Sequence, residues 1–132
     1  MSNMNKTQVP QPTDSELEIL QLLWQNGECT VRKINDFLNE KREVGYTTTL
    51  KLMQIMLEKT LVSRNANQRT HIYSAAVTEG ATQKKLLEKF LDATFRGSSM
   101  KLVMQALGNH ETTQDELEEI KDLIKKIENK EK

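Results

Sequence analysis

The fold of this chain is decided by residues 45–59, which read Gly45-Tyr46-Thr47-Thr48-Thr49-Leu50-Lys51-Leu52-Met53-Gln54-Ile55-Met56-Leu57-Glu58-Lys59. Gly45 and a threonine cap, Thr47, are expected to start an α-helix here. At 100° per residue, its core side carries Thr49, Leu50, Met53, Met56 and Leu57. The other side carries Thr47, Thr48, Lys51, Leu52, Gln54 and Ile55, with Glu58 as its only acid.

The second side of this helix has the chemistry of a surface that reads DNA. Lysine reaches phosphate or guanine, glutamine matches adenine, and methyl groups contact thymine in the major groove. An amphipathic helix with a solvated polar face would carry a similar pattern. The helix alone leaves both interpretations open, and the elements that follow it decide between them.

The composition is that of a soluble, helix-rich protein. The 132 residues are 36% hydrophobic and 29% charged, enough for one domain or two small ones with a real core. No apolar run approaches the ~20 residues needed to cross a bilayer. Residues 1–12 lack the apolar core of a signal peptide and are expected to be a disordered tail. With the lone Cys29 unable to form an internal disulfide, the sequence predicts a cytoplasmic protein.

Positive charge is concentrated near the proposed DNA-reading helix, although the whole chain has 19 basic and 19 acidic residues. Residues 42–77 contain two acids, and their five bases are Arg42, Lys51, Lys59, Arg64 and Arg69. Residues 112–132 contain five lysines against seven acids. This distribution is typical of a local electrostatic footprint for DNA.

The elements around residues 45–59 follow the order of a winged-helix domain. A capping box, Thr13 with Glu16, opens a first helix that carries Trp24 on its apolar stripe and ends at Gly27. Thr30 can cap a second helix. After the central helix, residues 61–64 and 71–74 alternate as two strands around a polar loop. In this architecture the third helix enters the major groove and the hairpin loop, the wing, touches the flanking backbone.

Beyond Val77 the pattern changes to three further helices. Thr78 can cap the fourth helix. Ser98 can cap the fifth helix, which is expected to run from Met100 to Leu107 and to be buried. A capping box at residues 113–116 opens the sixth helix. Three such helices form a poor core alone, so a second copy related by a two-fold axis is expected to cover them. The predicted interface residues are Leu87, Phe90, Leu91, Phe95, Leu102, Leu117, Ile120, Leu123 and Ile124. The predicted organisation is a tail over 1–12, a winged-helix domain over 13–77 and a helical dimerisation domain over 78–132.

Four parts of the sequence resemble the penicillinase-repressor and methicillin-resistance-repressor family: residues 12–20, 45–59 and 69–73, and the carboxy-terminal helices. The resemblance implies a homodimeric winged-helix repressor on an inverted-repeat operator, controlling β-lactamase or resistance-type genes together with a membrane-bound sensor-protease. It also implies proteolytic release within the fifth helix, at Gln105-Ala106. The copper-responsive branch carries closely spaced cysteines near its end, which this chain lacks.

The family's DNA-reading positions fall on Thr47, Thr48, Lys51 and Leu52, with Arg69 in the wing. Together with the residues chosen from the pattern, the predicted DNA contacts are Tyr46, Thr47, Thr48, Lys51, Leu52, Gln54, Arg64 and Arg69. The chain departs from the family at three places. Leu52 replaces a small polar residue, Thr60 replaces a glycine that would end the recognition helix, and Gln105-Ala106 replaces an asparagine–phenylalanine pair.

Other classes of function find less support in the sequence. No nucleophile–base signature, phosphate loop or metal-ligand spacing is present, so no catalytic residue, cofactor or metal is expected. His71 and His110 are expected to have structural or surface roles. One alternative is a winged-helix protein-interaction module without base-specific DNA binding, indicated by the zero net charge and by Leu52 and Ile55. A regulator with a small-molecule pocket is a further alternative.

Overall fold

The computed structural model describes residues 10–65, 69–109 and 111–130. Its elements in chain order are α1 (Asp14–Asn26), α2 (Val31–Asn39), α3 (Tyr46–Glu58), β1 (Val62–Asn65), β2 (Ile72–Ala75), α4 (Glu79–Phe95), α5 (Ser99–Asn109) and α6 (Gln114–Lys130). The chain divides into two units within α4, between Glu88 and Lys89, beyond the boundary expected at Val77. Of the expected disordered tail, residues 1–9 lie outside the described part, and Pro12 is buried.

Local signals at both ends set the limits of α1. The Thr13 hydroxyl accepts a hydrogen bond from the Glu16 backbone N–H at 3.2 Å, and the Glu16 carboxylate accepts one from the Thr13 N–H at 2.9 Å. Gly27 ends the helix with a φ of 80°, a left-handed conformation that favours glycine. Both predicted limits are confirmed.

The starts of α2 and α3 differ in how they are capped. The Thr30 hydroxyl accepts from the Lys33 N–H at 3.1 Å, which confirms the cap of α2. In α3 the cap is Gly45, with no side-chain hydrogen bond, so the prediction that Thr47 caps this helix is wrong. The chain is extended at Gly45 and helical from Tyr46, and the exposed first turn leaves its free N–H groups to water.

The two strands form an antiparallel hairpin in which Val62 pairs with Ala75 and Arg64 with Tyr73. A bridge on the other side of β2 joins Tyr73 to Cys29 through backbone hydrogen bonds of 2.8 and 3.0 Å. Tyr73 is thereby held in the core, 1% exposed. Three helices followed by this hairpin confirm the predicted winged-helix architecture.

A single hydrophobic core joins α1, α2, α3 and the hairpin. Its buried members are Ile19, Leu20, Leu23, Cys29, Val31, Ile34, Leu38, Met53, Met56, Leu61, Val62 and Tyr73. Trp24 packs against this cluster, and its indole Nε1 donates to the Val77 carbonyl oxygen at 3.0 Å. The core role predicted for Trp24 is therefore confirmed.

The turn after α3 places a threonine in a conformation that disfavours it. Thr60 has a φ of 62°, and the next residue, Leu61, donates its backbone N–H to the Met56 carbonyl at 2.9 Å. Thr60 therefore adopts the left-handed geometry that favours glycine. For a residue with a Cβ this geometry costs about 1–2 kcal/mol.

The helix starts predicted beyond Gly97 are confirmed. Ser98 accepts from the Lys101 N–H at 3.2 Å at the start of α5. At the start of α6, Thr113 and Glu116 exchange hydrogen bonds of 3.0 and 3.1 Å as a capping box. No described residue of α5 or α6 is buried, so the expectation of a buried α5 is wrong for a single chain.

The described methionines of α3 and of α5 differ in their burial. Met53 and Met56 fill the winged-helix core as predicted, whereas Met100 and Met104 of α5 are 69% and 65% exposed. The described helices of one chain leave this apolar surface uncovered. Among the described residues, no helix is long and apolar enough to cross a membrane.

Candidate nucleic-acid interface

The outer side of α3 presents a row of mostly polar side chains to solvent. The exposed residues are Tyr46, Thr47, Thr48, Lys51, Gln54, Ile55 and Glu58. Because α3 is fixed to the core by Thr49, Met53 and Met56, this side faces outward. Thr47, Thr48 and Lys51 therefore protrude together from one side of the helix, as the pattern predicts.

Leu52 departs from this exposed row. The sequence places it on the exposed side, but it is half-buried and packs against the core cluster, so its expected exposure is wrong. Its position at the edge of the apolar side lets neighbouring side chains cover it. Only part of the side chain is left for a base contact.

A buried polar contact fixes the first half of α3 against α2. The side-chain amide nitrogen of Asn35 donates to the Thr49 hydroxyl at 2.8 Å and to the Val44 carbonyl at 3.1 Å. Asn39 adds a second link to Val44, accepting from its N–H at 3.1 Å and donating to its carbonyl at 2.9 Å. The α2–α3 turn and the first half of the predicted recognition helix are thus held together.

A salt bridge fixes the other end of α3 to the start of α1. The Lys59 Nζ atom lies 2.6 Å from a carboxylate oxygen of Glu16, whose side chain is 3% exposed. Burial alone would raise the pKa of Glu16. The hydrogen bonds from Lys59 and from the Thr13 backbone outweigh that effect and hold the pKa below its usual value of 4.5.

A second salt bridge reduces the positive charge available for DNA. Arg42 binds Glu18 through two hydrogen bonds of 2.7 and 3.0 Å, which lower the pKa of the Glu18 carboxyl and raise that of Arg42. Of the five bases counted from the sequence, Arg42 and Lys59 are therefore neutralised by acids of α1. The positive charge predicted for DNA binding must therefore come from the other three bases.

The remaining predicted cations lie on α3 and around the wing. Lys51 is exposed on α3, and Arg64 is exposed on β1. Arg69, exposed ahead of β2, follows residues 66–68 of the predicted wing loop, which lie outside the described residues. Within the described part of the chain, no acidic partner is found for these three cations.

Arg32 is a further cation at this surface that the sequence analysis missed. Its guanidinium lies 4.6 Å from the centre of the Tyr46 ring, a cation–π contact between α2 and the first residue of α3. Arg32 lies two residues after the Thr30 cap, on the helix before the predicted recognition helix. This position could have indicated a cation near the DNA-reading surface. The contact between Arg32 and Tyr46 depends on how α2 packs against α3, and sequence spacing does not predict that packing.

A cleft of about 280 Å³ opens between the first turns of α2 and α3 and the residues leading into β2. Its lining includes the polar residues Arg32, Arg69 and His71 and the apolar residues Val31, Leu50 and Tyr73. Of the described residues, no acidic one lines it. The lining of the cleft therefore combines two arginines with apolar side chains.

The sequence matches the model of a protein family described as penicillinase repressor over residues 12–126. The chain belongs to the penicillinase repressor family. It is accordingly a member of a family of transcriptional repressors, which is not a class of enzymes. The family expected from residues 12–20, 45–59 and 69–73 is confirmed.

Relatives within the penicillinase repressor family span nearly the whole chain. The penicillinase repressor of Staphylococcus aureus is 22% identical over 116 residues, covering 88% of this chain and 92% of that protein. A methicillin resistance regulatory protein, MecI, of Mammaliicoccus sciuri is 21% identical over 114 residues, covering 86% and 93%. The solved DNA-binding domain of the repressor BlaI has a TM-score of 0.50 and 18% identity, covering 56% of this chain and 90% of that domain. This structural likeness establishes the winged-helix fold.

The predicted dimerisation and release residues lie on the last three helices of this family member. Leu87, Phe90, Leu123 and Ile124 are exposed, whereas Leu91, Phe95, Leu102, Leu117 and Ile120 are half-buried. Phe90 and Phe95 contact each other edge to face, with ring centres 5.7 Å apart. Gln105 and Ala106 are exposed on α5.

Proposed function

We propose that two copies of this chain bind an inverted-repeat operator and thereby block transcription in the cytoplasm. The observation that carries the proposal is the exposed row Thr47, Thr48 and Lys51 on a helix fixed at both ends. The Asn35–Thr49 hydrogen bond and the Lys59–Glu16 salt bridge give α3 the fixed position that base readout needs. With α3 in the major groove, these side chains and Gln54 meet base edges, and Arg64 and Arg69 meet phosphates.

The apolar surface of the last three helices supports the proposed dimer. Single exposed apolar residues are ordinary, but nine large ones on the described parts of α4, α5 and α6 support a surface for association: Leu87, Phe90, Met100, Val103, Met104, Leu107, Leu123, Ile124 and Ile127. A second copy related by a two-fold axis covers them and sets the separation of the two half-sites.

The names of the relatives support a class of regulated genes, and the family resemblance of the sequence implies a route of release. Similarity to repressors named for penicillinase and methicillin resistance supports an operator that controls β-lactamase or resistance-type genes. A membrane-bound sensor-protease system releases the repressor by cleavage at Gln105–Ala106. The exposure of both residues on α5 supports access by a protease.

The test is selection of bound duplexes from a random pool, followed by titration of the enriched duplex. The enriched motif should be two-fold symmetric, and Lys51→Ala should weaken its binding about tenfold. Arg69→Ala should also weaken binding and reduce the dependence of log affinity on log salt by about one. Lys125→Ala, which removes an exposed lysine of α6, serves as the control and should leave affinity unchanged.

Equal affinity for the enriched duplex and a scrambled one would contradict base-specific readout. A chain that sediments as a monomer and binds no duplex would favour the alternative function, a protein-interaction module. The exposed Ile55 in the middle of the α3 surface is the observation that supports this alternative.

A further inference from the structure

We infer that the cleft between α2, α3 and β2 binds a small organic anion, a carboxylate carried on an aromatic ring, and that this anion excludes DNA. The first part rests on the lining of the cleft alone. The second part rests on the proposed function, because it assigns two of the lining residues to the DNA interface.

The charge of the cleft selects an anion. Arg32 and Arg69 both line it, and a guanidinium binds a carboxylate through two parallel hydrogen bonds. Among the described residues neither arginine forms a salt bridge, in contrast to Arg42, which is neutralised by Glu18. The cation–π contact with Tyr46, 4.6 Å from the guanidinium carbon to the ring centre, holds Arg32 beside the cleft.

The apolar lining of the cleft selects a ring over a simple ion. The accessible apolar wall of the cleft is formed by Leu50 and the Tyr46 ring, because Val31 and Tyr73 belong to the core and are only 6% and 1% exposed. An inorganic anion would use the arginines but leave this wall in contact with water. Ligand pockets for drug-sized molecules run from about 300 to 1,000 Å³, so a cleft of about 280 Å³ suits a one- or two-ring carboxylate.

Occupation of the cleft and binding of DNA compete for the same side chains. Tyr46 and Arg69 line the cleft and also belong to the predicted set of DNA contacts. A guanidinium engaged with a carboxylate in the cleft is withdrawn from the DNA phosphate. By thermodynamic linkage, the anion must weaken DNA binding by the same factor by which DNA weakens binding of the anion.

The binding test uses the full chain titrated with benzoate, followed by NMR of the backbone amides. Benzoate should shift the amides of residues 30–32, 46, 50 and 69–73 and should bind at least about tenfold more tightly than benzamide, its neutral analogue. Arg32→Ala and Arg69→Ala should each weaken benzoate about tenfold. Arg32→Lys should recover only part of the affinity, since lysine keeps the charge but lacks the planar fork.

The matched control is Arg64→Ala, which removes an exposed arginine of β1 that does not line the cleft. It should leave benzoate binding unchanged. Equal binding of benzoate and benzamide, or full affinity in Arg32→Ala, would overturn the site. Inorganic phosphate that binds as tightly as benzoate would also overturn it and would assign the cleft to a DNA phosphate instead.

The competition test measures affinity for the selected duplex with and without saturating benzoate. Benzoate should weaken DNA binding by wild type, and at the same benzoate concentration it should weaken DNA binding by Arg32→Ala much less. Simultaneous binding of benzoate and duplex without mutual effect would overturn the exclusion of DNA. If wild type binds benzoate but no duplex, the proposed function fails and the exclusion fails with it, while the anion site stands.

Discussion

The side chains of Asn35 and Thr49 are joined by a hydrogen bond of 2.8 Å that connects α2 to α3. Asn35 is 5% exposed and Thr49 is fully buried, so water cannot replace either partner. A second bond from the Asn35 amide to the Val44 carbonyl, 3.1 Å long, adds the α2–α3 turn to the same contact. The position of the predicted recognition helix therefore depends on a polar contact within the core.

Removing either side of this contact should destabilise the fold. Asn35→Ala leaves the Thr49 hydroxyl without its donor and should lower the free energy of unfolding by about 1–3 kcal/mol. Thr49→Val should cost about 1 kcal/mol, because the Asn35 amide retains its bond to Val44. Urea unfolding of both variants and of the double variant measures the coupling between them. Strictly additive losses would show that the two side chains do not interact energetically.

Stability should fall with acid because of the salt bridge between Glu16 and Lys59. The pKa of Glu16 is lower in the fold than its usual value of 4.5, so the unfolded chain takes up the proton more readily. The contribution of this carboxylate is therefore complete above about pH 4.5 and is lost as pH falls through the lower folded pKa.

Glu16→Gln should remove this acid sensitivity and lower the free energy of unfolding at pH 7 by about 2 kcal/mol. Urea unfolding at several pH values between 3 and 7 measures both effects. The control is Glu18→Gln, which breaks the more exposed pair with Arg42 and should have a smaller effect. If wild type and Glu16→Gln lose stability in parallel on acidification, this salt bridge is not the cause.

The left-handed backbone at Thr60 should make a substitution there stabilising. Thr60→Gly removes the Cβ clash at a φ of 62°, which stabilises the fold. Glycine is also more flexible in the unfolded chain, which offsets part of this gain. The free energy of unfolding should therefore rise by up to about 1 kcal/mol. Thr60→Asn should also stabilise, because asparagine tolerates this conformation. Thr60→Ala keeps the Cβ and serves as the control. An equal gain in all three variants, measured by thermal unfolding, would attribute the effect to loss of the hydroxyl instead.

The apolar side of α6 should control association of the chain. Ile124 is 50% exposed, so Ile124→Glu should leave the fold of one copy intact but place a charge in the proposed dimer interface. Sedimentation should show a dimer for wild type and a monomer for the variant at micromolar concentrations. Lys125→Gln changes the net charge equally and should remain dimeric. A variant that stays dimeric would exclude this side of α6 from the interface.

The sequence predicted best those features whose partners are close together in the chain. The capping box of Thr13 and Glu16 and that of Thr113 and Glu116 join residues three positions apart, so spacing alone indicates them. The core side of α3 follows from helical periodicity in the same way. The helices and the hairpin were therefore predictable.

Contacts between distant residues were not predictable from spacing. Glu16 is paired with Lys59 and Glu18 with Arg42, across 43 and 24 residues, so the positive charge near α3 was overcounted. The Arg32–Tyr46 contact and the half-burial of Leu52 likewise depend on how α2, α3 and the hairpin pack. The outline of the candidate site could be read from the sequence, but its electrostatics could not.

The placement of Trp24 gives the winged-helix unit its own optical signal. It is the single tryptophan of the chain, and its indole Nε1 donates a hydrogen bond to the Val77 carbonyl oxygen within the first unit, which ends at Glu88. Its fluorescence therefore reports melting of the winged-helix core, whereas far-ultraviolet circular dichroism also follows α5 and α6. Heating curves recorded by both methods can establish whether the two units melt together or in succession.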